Sequence, residues 1–339
     1  MAKAKEASSS SKLQEALDKL EKAYGQGTVL ALDSKSGGEY DVISTGSIGF
    51  DYVTLGVGGF VKGRMYELMG WEGTGKSTIC GHAAAECQKG GGTVVYIDGE
   101  HAVDKNYFQA LGVDTTKMLI AQPACGEEGF NIAMELINSG EVDLIIIDSD
   151  SSLIPKKVLD GEVGDSAIGK KAVLNSNAYP KLKTAAANNN VCVIVISQYR
   201  EKIGVMFGNP TTTQGGHALK FYSDVRVEVS RSLAKEGDVT YGNITKVKAT
   251  KNKMCPPYRL SNFEIVYGEG IDKLQEVLDL GNEYEVLKKW GKTITFNETK
   301  YDLEDFSKML KDNPEFYAEI RDAIVNKIKT IEHEPASEV

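Results

Sequence analysis

Residues Gly70-Trp71-Glu72-Gly73-Thr74-Gly75-Lys76-Ser77 fill the pattern G-x-x-x-x-G-K-[ST] completely. Such a stretch can hold phosphate. Its glycines let backbone N–H groups converge on phosphate oxygens, and a helix opening at the lysine adds its positive dipole end. The Lys76 ammonium would neutralise terminal phosphate oxygens, and Ser77, followed by Thr78, would offer a hydroxyl to Mg²⁺. A magnesium site of this kind needs a carboxylate on a neighbouring strand. Leu144-Ile145-Ile146-Ile147-Asp148 supplies one behind four apolar residues. Hydrolysis further needs a group that orients water. Glu100, in Asp98-Gly99-Glu100-His101 just past the run Thr93–Ile97, is placed to be that base.

These groups require strands that end together and a helix that begins at Lys76. The runs Met65–Leu68, Thr93–Ile97, Leu144–Asp148 and Val191–Ile196 are short, mostly apolar and bounded by Gly, Asp or Ser. That pattern marks strands buried on both faces of a parallel sheet. Helical stretches lie between them at about 76–89, 127–139 and 168–188. The expected fold class is α/β, a central mostly parallel sheet flanked by helices, with ligands at the carboxyl ends of the strands. After Asp224, Val225, Val227 and Val229 alternate with Arg226, Glu228 and Ser230, and 244–249 and 260–267 look similar. Half-exposed strands of this type predict an antiparallel extension of the sheet.

The organisation expected around this core has four parts. Residues 1–38 hold a helix over 11–24 (Leu13, Ala16, Leu17, Leu20, Ala23) and a glycine-rich linker. A lone amphipathic helix buries too little to be stable, so it must dock on the core or on another subunit. The ATPase-type core spans 39–270, a small α+β domain with a hairpin near Trp290–Phe296 spans 271–330, and residues 331–339 read as a disordered acidic tail. Two segments, about 157–169 and 199–216, are glycine-rich and longer than a connector inside a domain needs to be.

Composition narrows the setting. The 339 residues are 41% hydrophobic and 26% charged, ordinary for a soluble globular protein, and no apolar run approaches the roughly 20 residues of a membrane span. Cys80, Cys87, Cys125, Cys192 and Cys255 are scattered without a Cys-x-x-Cys pair, which fits a reduced, cytoplasmic setting better than disulfides or zinc. The net charge of −9 does not exclude a nucleic-acid partner, because phosphate binding depends on where basic residues cluster.

Several motifs together resemble bacterial RecA recombinases. They are Ser44-Thr45-Gly46-Ser47, the glycine-rich loop above, Ile97-Asp98-Gly99-Glu100-His101-Ala102 and Gly161-Glu162-Val163-Gly164-Asp165-Ser166. The run Lys202-Ile203-Gly204-Val205-Met206-Phe207-Gly208-Asn209-Pro210 is the most specific, and Ala218–Tyr222 and Tyr267–Ile271 follow in order. The resemblance implies a helical filament on single-stranded DNA that pairs it with double-stranded DNA and exchanges strands, with ATP and Mg²⁺ as cofactors. It also implies a place in DNA repair and the SOS response, including action on repressor-type proteins. By position it makes Glu100 and Lys76 catalytic, Gln198 a sensor of the γ-phosphate, and Asp104 and Tyr107 holders of adenine. Lys251 and Lys253 would reach the neighbouring subunit's ATP; read without the resemblance, they are a charged strand edge.

The same resemblance places both long loops around DNA. Ser176, Arg200 and Thr212 would contact phosphates together with backbone at Gly169, Gly208, Gly215 and Gly216. Ile168, Met206 and Phe207 would wedge between bases, a sequence-neutral mode of binding. The chain departs from the family at Val173, where a basic residue is expected and Lys170 and Lys171 stand nearby, and at His217, where the family has asparagine. A ring-forming helicase on the same core remains the alternative reading.

Overall fold

Alternation along the central strands decides the architecture. In the computed structural model, which describes residues 2–25, 28–29, 40–162, 169–201, 211–213 and 216–333, odd and even positions of each strand feed two different cores. Val94, Tyr96, Leu144, Ile146, Cys192, Ile194 and Ile196 face one; Val95, Ile97, Ile145, Ile147, Val193 and Val195 face the other. Both sets are buried, so the runs lack the polar alternation of a one-sided sheet. Each such Ile or Val contributes about 1.5–3 kcal/mol by leaving water.

The chain divides into two units, Met1–Tyr40 and Asp41–Val339. The first contains α1 (Ala2–Tyr24), which begins nine residues before the expected helix over 11–24. Ala2, Ala4 and Ala7, with Lys3, Lys5 and Glu6, are good helix formers that carry no apolar stripe, so hydrophobic spacing overlooks them.

The second unit opens with β1 (Val42–Ile43), β2 (Phe60–Val61), β3 (Met65–Gly70), α2 (Lys76–Lys89), β4 (Val94–Asp98), α3 (Lys105–Ala110) and β5 (Leu119–Ala121). It continues through α4 (Gly126–Asn138), β6 (Leu144–Asp148), α5 (Lys156–Leu159), α6 (Lys170–Asn188), β7 (Cys192–Glu201), β8 (Thr211–Thr213) and α7 (Ala218–Tyr222). Then come β9 (Val225–Glu236), β10 (Val239–Lys251), β11 (Leu260–Val266) and β12 (Gly270–Ile271). The order in the main sheet is β12-β11-β10-β9-β3-β7-β6-β4-β5, parallel from β9 through β5 and antiparallel from β9 out to β12. The expected antiparallel extension is therefore present. Helices α2 and α3 cover one face through Ile79, Cys80, Ala83, Ala84 and Phe108, and α4 and α6 the other through Phe130, Ile137, Tyr179 and Leu182.

A third core joins Ile48 to α8 (Lys273–Glu283), the sheet of β13 (Lys288–Trp290), β14 (Thr293–Phe296) and β15 (Thr299–Asp302), α9 (Leu303–Asp312) and α10 (Pro314–His333). The expected hairpin is thus a three-stranded sheet. Helix α10 runs three residues into the expected acidic tail, whose remaining residues 334–339 lie outside the described ones.

Two buried acids link this third core to the Ser44–Ser47 segment. Asp51 accepts from Ser44 Oγ at 2.6 Å and Thr45 Oγ1 at 2.7 Å, while Glu276 accepts from Ser47 Oγ and the Ile48 and Gly49 amides. Burial pushes each carboxyl up to about 7, against the hydrogen bonds that favour the ionised form. Both folded-state values lie above the unfolded ones. The stabilisation they give is complete below about pH 4 and is lost as pH rises through about 7. Urea midpoints of Asp51→Asn against the unsubstituted chain at pH 5 and pH 8 test this. The difference should shift in the variant's favour at pH 8 by an amount on the order of 2 kcal/mol, and an unchanged difference would exclude the titration.

Candidate active site and nucleic-acid interface

Strand β3 delivers the phosphate loop. Gly70 packs so closely on β9 that a Cβ there would lie 2.2 Å from the Val229 carbonyl oxygen. Gly75 precedes α2 with φ 93°, a left-handed conformation that disfavours side chains. Inside the loop, Thr74 Oγ1 donates to the Trp71 carbonyl at 2.9 Å, and Lys76 Nζ donates to the Gly70 and Trp71 carbonyls at 3.1 and 2.7 Å. Burial lowers the Lys76 pKa, opposed by the charges of Asp148 and Glu100.

A cavity of about 270 Å³ opens over this loop, and it gathers most of the residues expected there. Glu72, Gly73, Thr74, Gly75, Lys76, Ser77, Thr78, Glu100, Tyr107, Asp148 and Gln198 all line it. The parallel register of β4 with β6 sets Asp98 beside Asp148, and that of β3 with β7 sets Gly70 beside Gln198, so the loops at the strand ends converge. Ser77 Oγ donates to Asp148 Oδ2 at 2.8 Å, and Tyr96 OH donates to the same oxygen. Burial raises the Asp148 pKa, while these two hydrogen bonds oppose the rise. A hydroxyl and a carboxylate oxygen in contact at the start of a phosphate-binding helix are the hard donors Mg²⁺ takes. The residues fit that ion.

Glu100 is held by three donors on one oxygen. Gln198 Nε2 at 2.7 Å, Ser149 Oγ at 2.6 Å and Ser152 Oγ at 3.3 Å all reach Oε1. Water therefore has Oε2 to approach. Tyr107 is fixed by its hydroxyl on Thr78 Oγ1 at 2.7 Å. Trp71 gives the loop a carbonyl rather than a cavity wall, and its ring stands edge-on to Tyr199 at 6.0 Å.

One residue expected at the adenine stands elsewhere in the structure. Asp104 caps α3, accepting from the Asn106 and Tyr107 amides, and is not among the residues lining the cavity. Lys251 and Lys253, expected to serve a neighbouring subunit's nucleotide, do not line this chain's cavity. Lys251 donates to the Lys220 and Phe221 carbonyls at 3.0 and 3.1 Å, and Lys253 pairs with Asp224 at 3.0 Å. Sequence reasoning also missed Asn243 and Tyr267, which β10 and β11 bring to the cavity from the far side of β9. Tyr267 OH and Arg231 Nη1 both donate to Asn243 Oδ1, and Asn243 Nδ2 reaches the Gly73 carbonyl. The one signal was Tyr267 itself, within the motif that begins there.

The described parts of the two long segments include regular structure at their ends. Strand β7 runs on through Arg200 and Glu201 and pairs antiparallel with β8, placing Arg200 opposite Thr212. Within the expected loop 199–216, Tyr199–Glu201 and Thr211–Thr213 are therefore paired as strands, because the β-branched residues Thr211–Thr213 extend the sheet pairing. Arg200 and Gly216 are exposed there, and Ser176 is exposed on α6, which Gly169 opens with φ 80°. Ile168, Met206, Phe207, Gly208 and Gly215 lie outside the described residues. Val173 is 62% exposed on α6. Its neighbour Lys171 does not replace the missing surface charge. It turns inward to the Asp150 carboxylate and the carbonyls of Asp150 and Leu153, where burial lowers its pKa.

Comparison with known proteins agrees with this geometry. Residues 11–272 match the RecA N-terminal domain. The chain is 47% identical over 321 residues to Protein RecA of Cytophaga hutchinsonii, covering 94% of this chain and 90% of that protein. It is 44% identical to Protein RecA of Clostridioides difficile (92% and 90% covered) and 44% identical to that of Porphyromonas gingivalis (93% and 94%).

Proposed function

The chain belongs to the RecA family, and from that premise we propose that the cavity over Gly70–Ser77 is where ATP is hydrolysed to drive recombination. The protein is an ATP-dependent recombinase, a DNA-dependent ATPase of DNA repair. One observation carries the finer reading. Glu100 and Gln198 are hydrogen-bonded at 2.7 Å, and Gln198 stands on the strand that carries Arg200 into its pairing with Thr212. A change at the terminal phosphate is thus one hydrogen bond away from a DNA-facing element.

In this reading Lys76 leaves the carbonyls of its own loop for phosphate oxygens, and loop amides and the α2 N-terminus hold the remaining phosphate charge. Ser77 and Asp148 would hold Mg²⁺, which would supply neutralisation of phosphate charge. Glu100, oriented by Gln198, Ser149 and Ser152, directs water at the γ-phosphate and takes its proton. Tyr107 and Tyr267 bound the base end of the cavity. Lys251 and Lys253 act on a neighbouring subunit's nucleotide, and α1 docks on a neighbour, a head-to-tail contact that does not close and so builds a filament. Ser176, Arg200 and Thr212 contact the DNA backbone. The setting is cytoplasmic; no described helix is long and apolar enough to cross a membrane.

Phosphate release with and without single-stranded DNA tests the coupling. The rate should rise several-fold with DNA, and equal rates would remove the mechanism. Imaging with ATP and DNA should show open helical filaments, whereas closed six-fold rings would favour a helicase.

A further inference from the structure

We propose that Asp224 is a positioning residue for Lys253, holding it ready for the neighbouring subunit while tying it to the strand that ends in this subunit's own phosphate loop. The inference rests on the reading of Lys253 as acting across the subunit interface.

The carboxylate is buried, with a side chain 2% exposed, and its partners come from three directions. Oδ1 accepts from Lys183 Nζ at 2.6 Å and from Lys253 Nζ at 3.0 Å. Oδ2 accepts from the Met65 amide at 3.2 Å, and the Asp224 amide donates back to the Met65 carbonyl at 2.7 Å. Asp224 is thereby clamped to the first residue of β3, a fully buried strand whose last residue is Gly70. Burial opposes its ionisation, yet the two ammonium groups hold the carboxyl below its usual range.

One carboxylate facing two ammonium groups leaves a net positive charge, and the two lysines are not equivalent. Lys183 is held a second time by the Tyr222 carbonyl at 2.8 Å and is 27% exposed, whereas Lys253 is 48% exposed. Lys253 is therefore the one free to offer its remaining donors to an outside anion while Asp224 fixes its direction. The elements around it are those that follow the DNA-facing segments. Lys183 belongs to α6, which begins after the first long segment, and Lys220 and Phe221, whose carbonyls hold Lys251, belong to α7, which follows the second. A shift of α7 on DNA would reach Lys251 through contacts already made.

The test uses the full-length protein with ATP and single-stranded DNA. Asp224→Asn should lower the DNA-stimulated kcat roughly ten- to a hundredfold, the scale of one charge-assisted hydrogen bond, and leave nucleotide affinity of DNA-free subunits unchanged. Mixing distinguishes positioning in trans from damage to the subunit's own site. Lys76→Ala subunits carry an intact Asp224–Lys253 pair, so excess of them should raise the rate per Asp224→Asn subunit toward that of the unsubstituted chain in the same mixture. No such rise, or a full rate for Asp224→Asn alone, overturns the proposal. Lys183→Met keeps the buried acid paired with Lys253, and it reads the same link if the asparagine variant folds poorly. It should retain at least the unsubstituted rate, and a loss as large as that predicted for Asp224→Asn overturns the proposal. Lys253→Ala addresses the underlying reading separately: full activity there sinks the action in trans, whereas lost activity there with normal Asp224→Asn sinks the positioning role alone.

Discussion

Lys76→Ala will lower DNA-stimulated ATP hydrolysis by about 10²–10³-fold, the scale seen when one preorganised donor to transition-state charge is removed. Among the described residues, the Lys76 ammonium is the cationic side chain on the wall of the cavity, since the other lining groups are acids, amides, hydroxyls, aliphatics and Tyr rings. Its position against the Gly70 and Trp71 carbonyls puts it within the loop that must wrap the phosphates. Loss of the fold is a poor explanation for the expected defect. Thr74 still closes the loop onto the Trp71 carbonyl, and Gly75 still opens α2. Thermal unfolding should therefore change little while phosphate release collapses. Strand exchange should be lost with it, and a variant that keeps more than a tenth of the rate would show that charge at Lys76 is not required.

The parts of this site that lie on parallel strands were legible because burial on both faces leaves an unbroken apolar run, as in Leu144–Ile147, with Asp148 standing out at its end. Helix α2 was legible from the glycines before it. The strand pairing that makes Asn243 a neighbour of the Gly73 carbonyl was not, because it depends on β9 lying between β3 and β10, a long-range register that local pattern does not encode. The same limit hid Asp224. As a single acid before an alternating strand it reads as a turn residue, and only the packing of β3, α6 and β10 shows it between two lysines. Lys171 failed in the opposite direction. A lysine on a helix is by default exposed, and its burial follows from Asp150, itself 1% exposed and bonded to Asn175 and Tyr179. The pairing of β7 with β8 was hidden by composition, since glycines on both sides of Thr211–Thr213 suggest a loop while the threonines pair.

Glu100→Gln separates chemistry from the switch, and its expected effect is a loss of about 10²–10⁴ in the hydrolysis rate. The substitution preserves shape and keeps an acceptor for Gln198, Ser149 and Ser152, so the side chain should stay where it is. What it removes is the proton acceptor and one negative charge beside the phosphate. ATP binding should persist or tighten for the second reason, and DNA binding in the presence of ATP should be retained, because Arg200, Thr212 and the strand carrying them are untouched. The variant should then hold DNA long after the unsubstituted protein has turned over its nucleotide. Phosphate release and DNA dissociation measured on the same sample check both halves. Hydrolysis within threefold of the unsubstituted rate would take the water-orienting role away from Glu100. Lost hydrolysis together with lost ATP-dependent DNA binding would place Glu100 in the switch itself, with the Gln198 hydrogen bond rather than the base as its contribution.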